Sequence, residues 1–322
     1  MRILLTGGTG FLGSHIAEAL VAGGHELRCS VRKASDTRWL DGLEIEIVEL
    51  DLGSPGDSGP RRRSHPVPTA IEGMECVVHC GALTRAPDEA RFVEVNADGT
   101  RALAQAAADA GVGRFVLISS LAARGPDGAA GPISPYGRSK ALAESYLAEL
   151  DGDLEKVVLR PAGVYGPRDS DLLPLFRMAT RGVIVVPSSR AELQPVYVAD
   201  VVTAVVAAVS AVPPPHPLPI AHGARHTWAE LAAALSGAVG RAARVIRLPS
   251  AAFWTAGLLS ELGALVTHGS PAMDRRRARD LSHHRWTCDI EVTRAALDWS
   301  PVVDIRGGLE RTAEWYREAG WL

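Results

Sequence analysis

The 322-residue chain predicts an α/β fold: a doubly wound parallel sheet carrying a smaller C-terminal cap. Three observations carry that expectation. Apolar, β-branched runs of strand length alternate with alanine-rich runs of helical period through the first two-thirds of the chain. A glycine triplet joins the first such strand to the first such helix. Past residue 166 the rhythm breaks, and helical patterns are separated by proline-rich loops.

The first strand, Arg2–Thr6, runs into Gly7, Gly10 and Gly13 and then into a helical pattern over Phe11–Ala22. Glycines at a strand-to-helix turn permit positive φ and let the backbone approach a pyrophosphate seated on the helix N-terminus. The setting makes this a dinucleotide-binding turn, with Gly7, Gly10, Phe11, Leu12 and Gly13 as its contacts. The second strand, Glu26–Val31, ends without the acid that would hold the ribose hydroxyls of NAD. Arg32 and Lys33 follow instead, and an arginine grips a phosphate bidentately. NADP is therefore favoured, with NAD as the alternative.

A third strand covers Glu44–Glu49. The stretch 53–69 that follows, rich in Gly, Ser, Pro and Arg, reads as a disordered surface loop where a helix is usual. Then come strand Glu75–His79, helix Ala97–Ala110, strand Arg114–Ser119, helix Tyr136–Leu150 and strand Lys156–Arg160. Later helices are expected over Leu172–Arg181, Ala199–Ala211, Trp228–Val239 and Arg306–Glu318. The boundaries drawn from this are 1–166 with 196–222 for the nucleotide domain, and 167–195 with 223–322 for the cap.

Tyr136 and Lys140 stand four apart in a chain with only three lysines (Lys33, Lys140, Lys156) against 31 arginines. Residues i and i+4 share a helix face, so the ammonium is expected beside the phenol, lowering its pKa toward working pH. That arrangement makes a tyrosine a general acid/base.

Composition narrows the classes further. A net charge of −3 without a basic half argues against a nucleic-acid surface, and Arg61–Arg63 reads as a solvated run. Cys29, Cys76, Cys80 and Cys288 show no metal-ligand spacing and read as small hydrophobes in a reducing cytoplasm; no metal is expected. The chain opens directly on a strand, so no signal peptide is expected. The apolar stretches 196–212 and 250–266 are too short and interrupted to span a bilayer, so no membrane partner is expected.

Together, Gly7-x-x-Gly10-x-x-Gly13 and Tyr136-x-x-x-Lys140 resemble the extended branch of the short-chain dehydrogenase/reductase superfamily, whose sheet is of the Rossmann type. Further matches run along the chain: Asp51-Leu52, His79-Cys80-Gly81-Ala82, Asn96 to Thr100, Ser119-Ser120, Arg160-Pro161 to Pro167, Val196 to Val201, and Trp299-x-Pro301. The resemblance implies that Tyr136 exchanges the proton of a substrate oxygen, that Ser120 hydrogen-bonds the same oxygen, and that Lys140 holds the nicotinamide ribose. It implies cofactor contacts from Asp51 and Leu52 at the adenine, from Cys80, Gly81 and Ala82 at a strand end, and from Asn96, Pro161 and Val164. Asn96, Tyr165 and Asp200 are expected to orient helix starts and loops. A homodimer is implied through the helices Ala97–Ala110 and Tyr136–Leu150.

Nucleotide-sugar members of that branch commonly place an asparagine where this chain has Gly163. The Val-Arg after the second strand is similar to dihydroflavonol-reductase-like and hydroxysteroid-dehydrogenase-like members. The expectation is thus reduction of a small-molecule ketone or aldehyde, the carbonyl/alcohol pair being interconverted with NADPH. The alternatives are a nucleotide-sugar epimerase or dehydratase with bound NAD, for which Arg168, Arg190 and Arg225 are the candidate diphosphate clamps, and a cofactor-binding regulator without turnover. The segment from Phe253 to Trp286 joins an apolar run to the basic Arg275–Arg279 and reads equally as a lid or as core.

Overall fold

Seven parallel strands make the central sheet, and their sequence dictates two packed faces. In chain order the elements are β1 (Arg2–Thr6), α1 (Phe11–Ala22), β2 (Glu26–Val31), β3 (Ile45–Glu49), α2 (Val67–Ile71) and β4 (Cys76–His79). Next, α3 (Glu89–Phe92) passes through a π-helical turn, Val93–Asp98, into α4 (Gly99–Asp109). Then follow β5 (Arg114–Ile118), α5 (Leu121–Arg124), α6 (Pro135–Glu149), β6 (Glu155–Pro161), β7 (Val164–Tyr165), α7 (Leu173–Thr180), β8 (Val183–Pro187), β9 (Glu192–Leu193) and β10 (Val196–Tyr197). The remainder is α8 (Val198–Ser210), β11 (Leu218–Ile220), β12 (His226–Thr227), α9 (Trp228–Val239), β13 (Arg244–Leu248), β14 (Arg285–Trp286), α10 (Glu291–Leu297) and α11 (Ile305–Glu318). The computed structural model describes residues 1–53, 67–127, 130–187, 191–249, 252, 255 and 285–322.

The sheet order is β11-β6-β5-β4-β1-β2-β3, with every pairing parallel. The winding reverses between β1 and β4, which opens a crevice at the carboxyl ends of those two strands. Side chains alternate across the pleat. Ile3, Leu5, Val78, Val116 and Ile118 face one core, and Leu4, Val77, Phe115 and Leu117 face the other. The second core is closed by α2, α4 and α6 through Ile71, Leu103 and Leu147. The first runs without a break into Phe176, Ile184, Leu231, Trp299, Leu309 and Tyr316, so the C-terminal elements share the core of the sheet.

Most expected elements lie within a residue or two of their expected bounds, which is ordinary for helix and strand ends. The differences are instructive. Strand β11 carries Pro219 at its centre, a residue that argues against a strand; it is tolerated here because β11 is an edge of the sheet. Small sheets were not foreseen: β12-β9-β14, β13-β8 and β10-β7. Helix α4 is entered through the π turn rather than starting at Ala97. The loop expected over 53–69 lies outside the described residues from 54 to 66, and its last three residues open α2. Arg61–Arg63, Arg190 and nearly all of the segment from Phe253 to Trp286 also lie outside them.

Asp200 has the orienting role expected of it. Its carboxylate is 2 % exposed and accepts from the Val302 and Val303 amides at 3.0 and 3.1 Å, pinning the approach to α11 against α8. Cys29, Cys76 and Cys288 are buried free thiols, as expected, while Cys80 is half-buried. Among the described residues no helix is long and apolar enough to cross a membrane.

Candidate active site

The crevice beside β1 and β4 begins with the glycine turn. Gly7 has φ +76°, open to glycine at little cost, and a Cβ there would lie 2.7 Å from the Gly81 amide nitrogen. The turn is thus pressed against the end of β4. A Cβ on Gly13 would overlap the Gly7 carbonyl oxygen, so α1 packs directly on the turn. Gly10, the N-cap of α1, offers no side-chain cap, and the first helical turn, with half-buried Phe11 and Leu12, carries no acid. A Cβ on Gly10 would meet only the Gly7 carbonyl, at 3.3 Å. Uncapped amides beside open space are what a pyrophosphate requires, so these residues fit a dinucleotide.

The other residues expected to touch the cofactor lie on the elements that follow. Cys80, Gly81 and Ala82 continue β4, with the Cys80 amide donating to Thr6 O at 3.2 Å. Asp51 is exposed after β3, its Oδ1 accepting from the Gly53 amide at 3.0 Å, and Leu52 packs beside Gly99. Pro161 ends β6, and Val164 lies in β7. Arg32 and Lys33 follow β2 and are exposed, with no ion-pair partner among the described residues. Asn96 behaves differently from a ligand contact. It is fully buried, and its amide is taken up by the Leu83 backbone and by Ser139.

Helix α6 delivers Tyr136. Ser134 caps it by accepting from the Gly137 amide at 3.2 Å, and Pro135 opens its first turn. Gly137 settles what α6 packs against, because a Cβ there would overlap the Ala122 carbonyl of α5. The N-cap of α5 is Ser120, whose Oγ accepts from the Ala122 amide at 3.1 Å. Its single hydrogen remains for the Tyr136 oxygen, with which it hydrogen-bonds. The neighbouring Ser119 is spent elsewhere: it donates to Glu144, which also holds Arg160 Nε at 3.0 and 3.1 Å. Of the two adjacent serines, Ser120 alone reaches the phenol. Ser120→Ala should lower kcat/KM by about 10²-fold, with about 1 kcal/mol of stability lost with the α5 cap. Ser119→Ala should instead cost about 1–3 kcal/mol of stability, by leaving the buried Glu144 short of a donor; denaturant melts and steady-state rates separate the two.

The electrostatics correct one expectation. Tyr136 is not drawn toward neutral pH by Lys140. Burial pushes the phenol up to about 12, against the hydrogen bond from Ser120 that favours phenolate. Lys140, 2 % exposed, turns its ammonium to the Ile118 carbonyl at 2.6 Å, and burial draws its pKa down to about 8. Desolvation is the largest cause for both groups.

Sequence reasoning missed Gly137 and Glu144. Glu144 was findable, since it follows Lys140 by the same four residues that separate Lys140 from Tyr136. Of the candidate diphosphate clamps, Arg168 donates to Ser14 Oγ at 3.0 Å, pairs with Glu18 and stacks 4.7 Å over Trp39. Arg225 pairs with Glu192 at 3.6 Å.

Comparison with known proteins agrees with this geometry. Residues 3–221 match the model of the NAD dependent epimerase/dehydratase family. The chain belongs to that family, the extended short-chain dehydrogenase/reductases. It is 33% identical to a ceramide reductase of Caulobacter vibrioides, over 99% of this chain and 96% of the relative. It is 29% identical to a 2-alkyl-3-oxoalkanoate reductase of Stenotrophomonas maltophilia, over 97% and 98% of the two chains. Among solved structures, the UDP-glucose 4-epimerase of Thermotoga maritima superposes with a TM-score of 0.78 at 23% identity, covering 99% of each chain, and shares the fold.

Proposed function

We propose that this protein is an NADPH-dependent reductase of ketones borne on alkyl chains, with Tyr136 as the acid. The observation that carries the choice within the family is Gly163. It is exposed, and a Cβ there would meet nothing within 4 Å. The position that could offer an amide to a sugar-nucleotide diphosphate offers empty space instead. Arg168 and Arg225 add to this, being engaged with Glu18 and Glu192 rather than free to clamp a diphosphate. Two relatives matched over nearly their whole length support the same reading, since ceramide and 2-alkyl-3-oxoalkanoates both carry hydrocarbon chains, and they match at 33% and 29% identity against 26% for a UDP-glucose 4-epimerase matched over a similar length.

Bound NADPH would supply hydride to the carbonyl carbon. The chain's own residues do the rest. With substrate in place the Ser120 hydrogen would turn from the phenol to the carbonyl oxygen, Tyr136 gives that oxygen the proton, and Lys140 holds a positive charge beside them. Hydride on the carbon and the Tyr136 proton on the oxygen together would turn the ketone into a secondary alcohol. The uncapped α1 terminus would hold the pyrophosphate, and Arg32 with Lys33 the 2′-phosphate. The cap, residues 167–195 with 223–322, would shape the substrate end, and α4 with α6 would form a homodimer interface.

The test is incubation of purified protein with NADPH and a 2-alkyl-3-oxoalkanoate, following NADPH fluorescence and the hydroxy product by mass spectrometry. Stoichiometric oxidation is expected. Conversion of a UDP-sugar without net cofactor turnover overturns the reading. Arg32→Ala with Lys33→Ala should raise the NADPH Michaelis constant by about 10-fold or more while leaving that for NADH nearly unchanged. Equal constants for the two cofactors in the unaltered protein would refute the NADP assignment.

A further inference from the structure

We infer that His79, held neutral with its hydrogen on Nε2, is a positioning residue that keeps the Tyr136 turn in register with the cofactor cradle; this rests on the reading of Tyr136 as the acid. His79 ends β4 and is 1 % exposed. Its Nδ1 lies 2.6 Å from Thr6 Oγ1, and its Nε2 lies 2.9 Å from Thr100 Oγ1. Neither nitrogen faces solvent or a carboxylate.

The hydrogen positions follow from what each partner is able to do. The Asn96 carbonyl only accepts, so Thr100 spends its single hydrogen there, at 2.6 Å. Thr100 must then accept from His79, which places a hydrogen on Nε2. In the neutral ring Nδ1 is left as an acceptor, and Thr6 gives its own hydrogen to it. The Thr6 oxygen in turn accepts from the Gly81 amide at 3.1 Å. One arrangement of hydrogens satisfies every group, and the other tautomer would set two acceptors, the bare Nε2 and the Thr100 oxygen, against each other.

The relay does not stop at Thr100. Asn96, inside the π-helical turn, clasps Leu83 at both ends of its amide, at 2.7 and 3.0 Å. It also donates to Ser139 Oγ at 3.0 Å, and Ser139 donates to the Tyr136 carbonyl at 2.8 Å. Side chains thus connect the residue before Gly7, through the crevice floor at Gly81 and Leu83, to the backbone of Tyr136. These residues are distant in sequence and meet at His79. Because each member has one partner per hydrogen, the chain has two ends and a direction, which a core of apolar side chains would lack.

The experiment compares His79→Leu, Thr100→Val and Thr100→Ser in the NADPH complex. His79→Leu and Thr100→Val should each lower kcat by about 10²-fold, with the substrate KM and NADPH Kd little changed. Hydrogen exchange should quicken in the peptide spanning 134–142. Thr100→Ser, which keeps the hydroxyl, should behave as the unaltered protein. Unchanged kcat in Thr100→Val beside a lowered Tm, or equal losses in Thr100→Ser and Thr100→Val, would overturn the inference by leaving His79 a core residue only. Should His79→Leu fail to fold, the Thr100 pair still decides. Nitrogen NMR of ring-labelled histidine in the unaltered protein gives a second reading: an Nε2–H tautomer supports the relay and an Nδ1–H tautomer overturns it. If no ketone is reduced at all, the proposed function fails, while exchange rates and tautomer still judge His79.

Discussion

Tyr136→Phe is expected to lower kcat/KM for carbonyl reduction by about 10³-fold while leaving NADPH affinity and Tm unchanged. The ring itself is retained, so its edge-on contact with Phe92, at 6.1 Å between centroids, survives and only the proton donor is lost. Steady-state kinetics with a fluorescence titration of NADPH would check it, and a variant with ordinary turnover would remove Tyr136 from the mechanism. The pH dependence follows from the same burial. Reduction needs the protonated phenol, and a pKa pushed up to about 12 keeps it protonated across the neutral range. Lys140, drawn down to about 8, gives up its charge first as pH rises. The rate should therefore stay level on the acid side of pH 8 and fall above it, and Lys140→Met should abolish that limb of the profile.

Gly13→Ala is expected to remove cofactor binding and to cost about 1–3 kcal/mol of stability. The added carbon would overlap the Gly7 carbonyl, and helical backbone on one side with a tight turn on the other leaves no soft neighbour to move. Gly10→Ala makes the informative contrast. Its Cβ would meet only the Gly7 carbonyl, at 3.3 Å, so folding should be nearly unaffected while the methyl intrudes where a pyrophosphate sits. Thermal melts with NADPH titrations should thus show both properties damaged in the first variant and only affinity in the second. Unimpaired NADPH binding by Gly10→Ala would move the phosphates away from the α1 terminus.

The nucleotide-binding half was legible because its signals are local. A strand, a glycine turn and an alanine-rich helix each declare themselves within a dozen residues, and β1, α1 and β2 occupy their expected spans. The cap was less legible. Strands of two residues, such as Glu192–Leu193 and Arg285–Trp286, are too short to show a period. Within the site, Ser120, Tyr136 and Lys140 were legible as residue types, but their electrostatics were not. Spacing shows that a lysine lies on a tyrosine's face, and only packing shows that burial dominates both groups. The His79 relay was hidden for another reason: Thr6 and His79 stand 73 residues apart, and neither carries a signal without the other.

The packing of β2 beneath the glycine turn has a consequence for how this sequence can drift. A Cβ at Gly8 would overlap the Cys29 sulfur, so the turn and the middle of β2 share one volume. Positions 8 and 29 should therefore change as a pair in descendants of this chain. A side chain at 8 demands a smaller residue at 29, and anything larger than cysteine at 29 excludes everything but glycine at 8. The thiol acts there as a gauge of size rather than as a reagent, setting how far the phosphate-binding turn can sink onto its sheet.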